Sequence, residues 1–305
     1  MSLLPGRVDV HQHLWPAALI DALRTRSEPP FLDGWTLHLA GEAPYPVNPA
    51  HHDVATRAAA ESGADQVLLS LSAGLGIHDL KPEDAAPLLT AWHDGVAELP
   101  APFGAWAATT YADPDLGLLA RRLAGGAFVG LEVSANWLAT PTLLQRLLPT
   151  LEVCQAADRP VLVHPGPVTG EHGGTEQAWW APVVNYTAQL QSAWWAWAAV
   201  GRRLLPELRI CFVACAGLAP AHQERYLARG GVPLAVDPDA FVDSSSYGPQ
   251  GLDAVIRALG VDVIVYGSDR PYAEPVELAG SYAGASVRHA INIANPRRLL
   301  VGGSP

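Results

Sequence analysis

An eightfold alternation constrains this chain most: short apolar runs of strand length separated by amphipathic segments of helical length. The runs fall at residues 8–13, 66–71, 104–109, 128–133, 160–164, 209–215, 241–245 and 263–267. Several of the intervening segments open on Pro or Asp, as at Pro16, Asp53, Pro82, Asp113, Pro141 and Pro249, residue types suited to the first turn of a helix. Strands alternating with helices are the signature of βα units and a parallel sheet. Eight such units close most economically into a (β/α)8 barrel, with an open doubly wound sheet as the alternative. No GxGxxG fingerprint follows the first strand, which weakens a dinucleotide-binding reading. The length, 305 residues, suits one barrel of about 250 residues with insertions, so a single domain spanning residues 1–305 is expected. Hydrophobic residues make up 49% and charged residues 16%, enough for a large buried core.

Two segments exceed ordinary loop length. Residues 27–52 carry Trp35-Thr36-Leu37-His38-Leu39 and a Pro-rich return, and read as a small hairpin inserted after strand one. Residues 165–182 follow strand five and carry Glu171, His172, Gly173 and Gly174 before Trp179-Trp180. Both leave the C-terminal ends of strands, the face on which barrel enzymes build their sites, so each is a candidate lid. The tail, residues 274–300, reads as helices packed outside the barrel.

The composition narrows the partners. A formal charge of −11 argues against nucleic acid or an anionic membrane, and a small-molecule substrate is expected instead. Three cysteines without paired spacing, Cys154, Cys211 and Cys215, read as reduced buried thiols. With no apolar signal segment near the start and no apolar run of spanning length, the expected location is the cytoplasm.

The first strand ends His11-Gln12-His13. Residues i and i+2 of an extended chain point the same way, so both imidazoles can aim at one point. Taken alone, the pair is equally a metal half-site or a surface strand that carries histidine twice. Strand five ends in His164 before Pro165-Gly166, and strand eight is followed by Asp269. Each is a weak signal, since a rim histidine or a turn carboxylate would look the same. Together they bring three imidazoles and a carboxylate to one face of the barrel, with strands one and eight adjacent. Such nitrogen and oxygen donors suit zinc or a similar divalent ion with a position open for water, whose pKa the metal lowers toward about 7.

At this point the chain resembles a known family. The segments Asp9-Val10-His11-Gln12-His13, Val163-His164-Pro165 and Gly267-Ser268-Asp269 look like the metal motifs of the amidohydrolase superfamily. The nearest likeness is to the amidohydrolase-related group that includes aminocarboxymuconate-semialdehyde decarboxylase. Arg209-Ile210-Cys211-Phe212, Gly217, Pro220 and Asn295-Pro296-Arg297-Arg298-Leu299 extend it over nearly the whole chain. The resemblance implies one metal ion, zinc with manganese or iron as alternatives, held by His11, His13, His164 and Asp269. It also implies Asp269 as the catalytic base and a homodimer as a common state.

The chain departs from that pattern on strand six. The group places a histidine there, followed by glycines, and thought to act as acid and base in its decarboxylases; here the position is Ala214, with Cys215 beside it and His222 a turn further on. Strand four offers Glu132 and the only lysine, Lys81, lies in a turn, so one metal is expected rather than two. An inward Glu132 is costly to bury unpaired; it should meet a metal, an arginine or a substrate donor, or else face the helices. Arg270 is a candidate anchor for a substrate carboxylate, or a structural ion pair. Tyr272, Tyr247 and Trp179 are candidate pocket walls. The expected activity is hydrolysis of a small cyclic or carboxylated substrate by metal-activated water. Non-oxidative decarboxylation and a binding barrel without catalysis are the alternatives.

Overall fold

The computed structural model describes residues 6–40, 42–61, 63–168, 177, 179–274 and 284–303. Glu171–Gly174, offered above as part of a lid, lie outside the described residues. Eight parallel strands carry the fold, interrupted once by an insertion. β1 (Val8–Gln12) is followed by three short strands, β2 (Phe31–Asp33), β3 (Thr36–His38) and β4 (Tyr45–Pro46). The remaining barrel strands are β5 (Gln66–Leu69), β6 (Phe103–Ala107), β7 (Phe128–Ser134), β8 (Val161–His164), β9 (Ile210–Phe212), β10 (Ala240–Asp243) and β11 (Ile264–Val265). They pair in chain order, β1-β5-β6-β7-β8-β9-β10-β11. The chain beyond β11 closes the ring on β1: Val10 N–H donates to Tyr266 O (3.0 Å), Asp269 N–H to His11 O (2.9 Å) and His13 N–H to Arg270 O (2.7 Å). The fold is a (β/α)8 barrel.

The intervening helices form where the sequence supplies starts and one apolar face. Pro141–Ala156 starts on Thr140, whose hydroxyl caps Leu143 N–H, and buries Leu144, Leu147 and Leu151. Leu116–Ala124 starts on Asp115, which caps Leu118 N–H at 2.8 Å, two residues later than the first acidic signal at Asp113. Side-chain oxygens at such positions satisfy donors that a helix start leaves without partners.

Two details differ from the sequence expectation. The insertion is a three-stranded antiparallel sheet rather than a hairpin, because the Pro-rich return lies along β3 and Val47 N–H donates to Trp35 O. β9 ends at Phe212, short of Cys215, because Ala214 N–H leaves the ladder for Asp243 Oδ1 at 2.7 Å. From there Ala214, Cys215, Ala216, Gly217 and Leu218 run left-handed with φ between 48° and 62°. Only Gly217 adopts this freely; each L-residue costs roughly 1–2 kcal/mol, the kind of strain that collects around functional sites.

No helix among the described residues is long and apolar enough to cross a membrane. Three histidines outside the barrel mouth are buried in the packing. His52 stacks on Trp15 at 4.2 Å and accepts from Trp15 N–H, His93 accepts from Ala108 N–H, and neither ring nitrogen of His78 has a partner. Burial pushes them down to about 3, 3 and 4. All three sit below the ordinary value near 6.5, so the unfolded chain takes up their protons first as the pH falls. Their stabilising effect is complete above about pH 6.5 and is lost as the pH drops from there towards 4. Thermal unfolding followed by circular dichroism should show Tm falling over that interval, and His78→Leu should make the fall shallower. An unchanged slope in the variant would contradict the assignment.

Candidate metal centre

The barrel closure sets the site. β1 points His11 and His13 inward, and the hydrogen bond from Asp269 N–H to His11 O pulls the residue after Ser268 across the seam. Asp269 is itself left-handed, at φ 60°, so its backbone makes this contact while its carboxylate turns onto the histidines. His164 ends β8. His11 Nε2 and His13 Nε2 lie 3.1 Å apart, and Asp269 Oδ1 lies 3.2 Å from His13 Nε2 and 3.6 Å from His11 Nε2. The three imidazoles stand edge to face, with centroids 4.9–5.0 Å apart. One donor atom from each of the four residues falls within 4.8 Å of the others, so the group could hold a metal ion.

The orientation of the rings is fixed from behind. His11 Nδ1–H donates to Asp243 Oδ2 (2.8 Å), His13 Nδ1–H to Ser70 O (3.1 Å) and His164 Nδ1–H to Pro165 O (2.8 Å). Each Nε2 lone pair is thereby left for the shared point, the outer arrangement typical of histidine ligands. Nitrogen lone pairs 3.1 Å apart repel unless a cation or proton lies between them. The separation is close to the edge, about 3.3 Å, of a tetrahedron with 2.0–2.1 Å metal–nitrogen bonds. The donor set therefore fits a divalent ion.

Asp243 anchors this arrangement. Besides His11, its carboxylate accepts from Ala214 N–H (2.7 Å), Ser245 N–H (2.9 Å) and Ser245 Oγ–H (2.6 Å). Gly267 makes room for it, since a Cβ there would come within 2.6 Å of Asp243 Oδ2. Burial lowers the His11 pKa, but the Asp243 carboxylate overcomes that and the net value is raised to about 9. Burial holds His13 and His164 below the ordinary histidine value. For Asp269, burial acts upward but is outweighed by the hydrogen bond to His13 and the histidine charges, leaving it below the ordinary carboxylate value. Asp9, buried beneath, accepts from Gln12, Ser268 and His11 and is pushed up by burial to about 6.

A cavity of about 430 Å³ opens onto the cluster. Tyr247 and Tyr272 line it, and the Tyr272 ring lies 5.1 Å from that of His13. Other candidates lie elsewhere. Arg270 is not among the lining residues: the chain turns at left-handed Asp269 and the Arg270 guanidinium pairs with Glu61 at 3.2 Å. Trp179 is 51% exposed, hydrogen-bonds Gln177 and lies off the cavity. Cys215 is buried within the left-handed run, and His222 lines a separate surface groove. Glu132 faces the barrel interior, in register with Leu162 one layer below His164. It does not line the cavity, and neither carboxylate oxygen makes a hydrogen bond of normal geometry, although the N–H groups of Leu71 and Ala73 lie near it. Burial raises it well above the ordinary value, opposed by the His11 charge and the N–H groups of Leu71 and Ala73.

Sequence reasoning missed Asp243, Glu42, Tyr45 and Tyr186. Asp243 carried a usable signal, an acidic residue within an apolar strand segment, as Glu132 is. Glu42 and Tyr45 sit in the insertion and Tyr186 begins a helix after a long loop, where strand periodicity says nothing.

With fold and cluster in place, comparison with known proteins is informative. The amidohydrolase family model matches residues 8–301, and the chain belongs to that family. No curated protein matches it. Solved structures similar to it include IDCase from Metarhizium anisopliae (18% identity, 97% of each chain covered, TM-score 0.74). Also similar is 2,6-dihydroxybenzoate decarboxylase from Rhizobium (19%, 97% of this chain and 99% of that one, TM-score 0.72). A third is 5-carboxyvanillate decarboxylase from Novosphingobium aromaticivorans, complexed with manganese and 4-hydroxy-3-methoxy-5-nitrobenzoic acid (16%, 96% and 95%, TM-score 0.70). At these identities the likeness establishes the fold.

Glu132 gives a test of the layer beneath the site. A buried carboxyl without a hydrogen bond of normal geometry destabilises by its desolvation, so Glu132→Leu should raise stability by about 1–3 kcal/mol. The measurement is a denaturant titration. A lower midpoint would show that the carboxyl meets a partner in solution.

Proposed function

We propose that this protein is a metal-dependent carboxy-lyase that removes carbon dioxide from a small aromatic or enoic acid without oxidation. His11, His13, His164 and Asp269 would hold one divalent ion. The observation that carries the reading is Asp269, a cavity-lining carboxylate 3.2 Å from His13 Nε2. Similarity to two decarboxylases, one of them solved with manganese, supports it.

When bound, the ion supplies a Lewis acid that polarises substrate oxygens and offsets carboxylate charge. The remaining work falls to side chains. The bond between ring or chain carbon and carboxyl breaks, carbon dioxide leaves, and the carbon keeps the electron pair. That carbon then needs one proton, which Asp269, held as a carboxylate, would accept from solvent and pass on. Tyr247 and Tyr272 bound the cavity, and burial holds Tyr247 above its ordinary value, so its hydroxyl orients a substrate and does not give up its proton.

Hydrolysis by metal-activated water remains a second reading, favoured by Ala214. The position faces the cavity and its methyl group has no proton to give. Hydrolysis, however, takes a proton from water and later gives one to a leaving group, and Asp269 would have to do both.

Two measurements test the proposal. Metal-loaded protein should release carbon dioxide from hydroxybenzoate or enoic acid substrates, and Asp269→Asn should lower kcat by about 10²–10⁴-fold. Failure to release carbon dioxide from any such acid, with turnover of lactones or cyclic amides by the same preparation, would establish hydrolysis. Asp243→Ala should weaken metal retention by about 10–100-fold, read by metal analysis after dialysis. Full retention would remove Asp243 from its supporting role.

A further inference from the structure

A second cavity, of about 410 Å³, lies beside the start of β10 and shares no described lining residue with the one that opens onto the metal cluster. Its size is that of a small-molecule site. Trp194, Trp195 and Trp197 line it, in a wall otherwise rich in Pro, Leu, Val and Ala. The helix that begins at Tyr186 widens into a π turn over Trp197–Gly201, a distortion frequent at functional sites. The turn holds the Trp197 indole in place. A Cβ on Gly201 would meet that ring at 2.3 Å, and Trp197 Nε1–H donates to Asp237 Oδ2 at 3.2 Å. Trp194 is fixed against Phe212, with ring centroids 5.2 Å apart and planes at 72°.

The charged residues of the described lining are Arg202, Asp237 and Asp239. Arg202 is held within the wall. Its Nε donates to Asp237 Oδ2 at 2.9 Å, its Nη1 donates to Leu205 O and Pro206 O at 3.0 Å each, and its Nη2 is buried. The Arg202 guanidinium also lies 5.2 Å from the Trp197 ring centroid, so the wall already holds one cation against an indole. Asp237 neutralises that cation, whereas Asp239 makes no ion pair among the described residues. One carboxylate is therefore in excess. A neutral apolar ligand would desolvate Asp239 without compensation, and an anion would be repelled by it. A bare metal ion would lose its water against tryptophan without gaining the oxygen ligands it needs. An organic ammonium ion spreads its charge over apolar groups and suits both features, since indoles are the best aromatic partners for such cations. We propose that this cavity is a binding site for a small organic ammonium ion, with its alkyl groups against Trp194 and Trp195 and its charge matched by Asp239. The site is independent of the carboxy-lyase reading.

Calorimetric titration of the metal-loaded protein tests it with choline, its uncharged isostere 3,3-dimethylbutan-1-ol, and benzoate. Choline should bind at least about fivefold more tightly than the alcohol, the scale of one cation held against an aromatic ring. Asp239→Asn should weaken choline severalfold and leave the alcohol unchanged, and Trp194→Leu should weaken choline as well. Circular dichroism confirms that both variants fold, and the Asp239→Asn arm decides alone if Trp194→Leu does not. Asp269→Asn, in the other cavity, should bind choline as wild type does. Equal binding of choline and the alcohol, preference for benzoate, no measurable heat with choline, or unchanged choline affinity in Asp239→Asn would each overturn the proposal. Loss of choline binding in Asp269→Asn would also overturn it, by placing the cation in the metal cavity.

Discussion

The site depends on the seam of the barrel. Seven strand pairs hold the sheet, but the eighth junction is made by three backbone hydrogen bonds between β1 and the chain beyond β11. One of them joins two residues of the cluster, Asp269 N–H to His11 O, and another ties His13 N–H to Arg270 O. Closure and assembly of the donor set are therefore one event. The left-handed backbone at Asp269 is what allows the same residue to bridge the seam and turn its carboxylate inward. The energetic cost of that conformation is met by the seam, as expected where surrounding structure over-determines a strained residue.

Beneath the cluster, two buried acids are treated in opposite ways. Asp243 receives four donors, one of them the ring that it aligns. Glu132 receives none of normal geometry. The difference follows from position. Asp243 stands at the strand end, where the ladder gives way and free N–H groups of Ala214 and Ser245 are available. Glu132 is two residues below its strand end, where the neighbouring backbone is already paired in β7–β8. The left-handed run from Ala214 to Leu218 belongs to the same arrangement, because it starts where Ala214 N–H is diverted to Asp243.

Much of this was legible in the sequence because it rests on period and order. Strand periodicity paired His11 with His13, and counting strands placed His164 and Asp269 on the same face; the structure brings these four together. What failed depended on a single backbone turn. Arg270 follows Asp269 immediately, yet a positive φ at Asp269 sends the next side chain to Glu61. No local pattern announces such a φ at an aspartate, which merely tolerates it more readily than most residues do. Glu42, Tyr45 and Tyr186 were hidden for a different reason. They reach the cavity from an insertion and a post-loop helix, and only the tertiary path of those segments brings them over the barrel mouth.

The absent histidine at Ala214 acquires a chemical meaning from this inventory. The described lining of the cavity has several tyrosine hydroxyls and, against the cluster, the Asp269 carboxylate. Under the proposed reading, a reaction that moves protons on and off several atoms would ask more of Asp269 than one that needs a single proton. Breaking one carbon–carboxyl bond and protonating the carbon left behind calls for a single delivery, from the side on which the carboxyl was held. In the proposed reaction Asp269 would lie on that side, 3.2 Å from His13 Nε2, and Ala214 lines the same cavity.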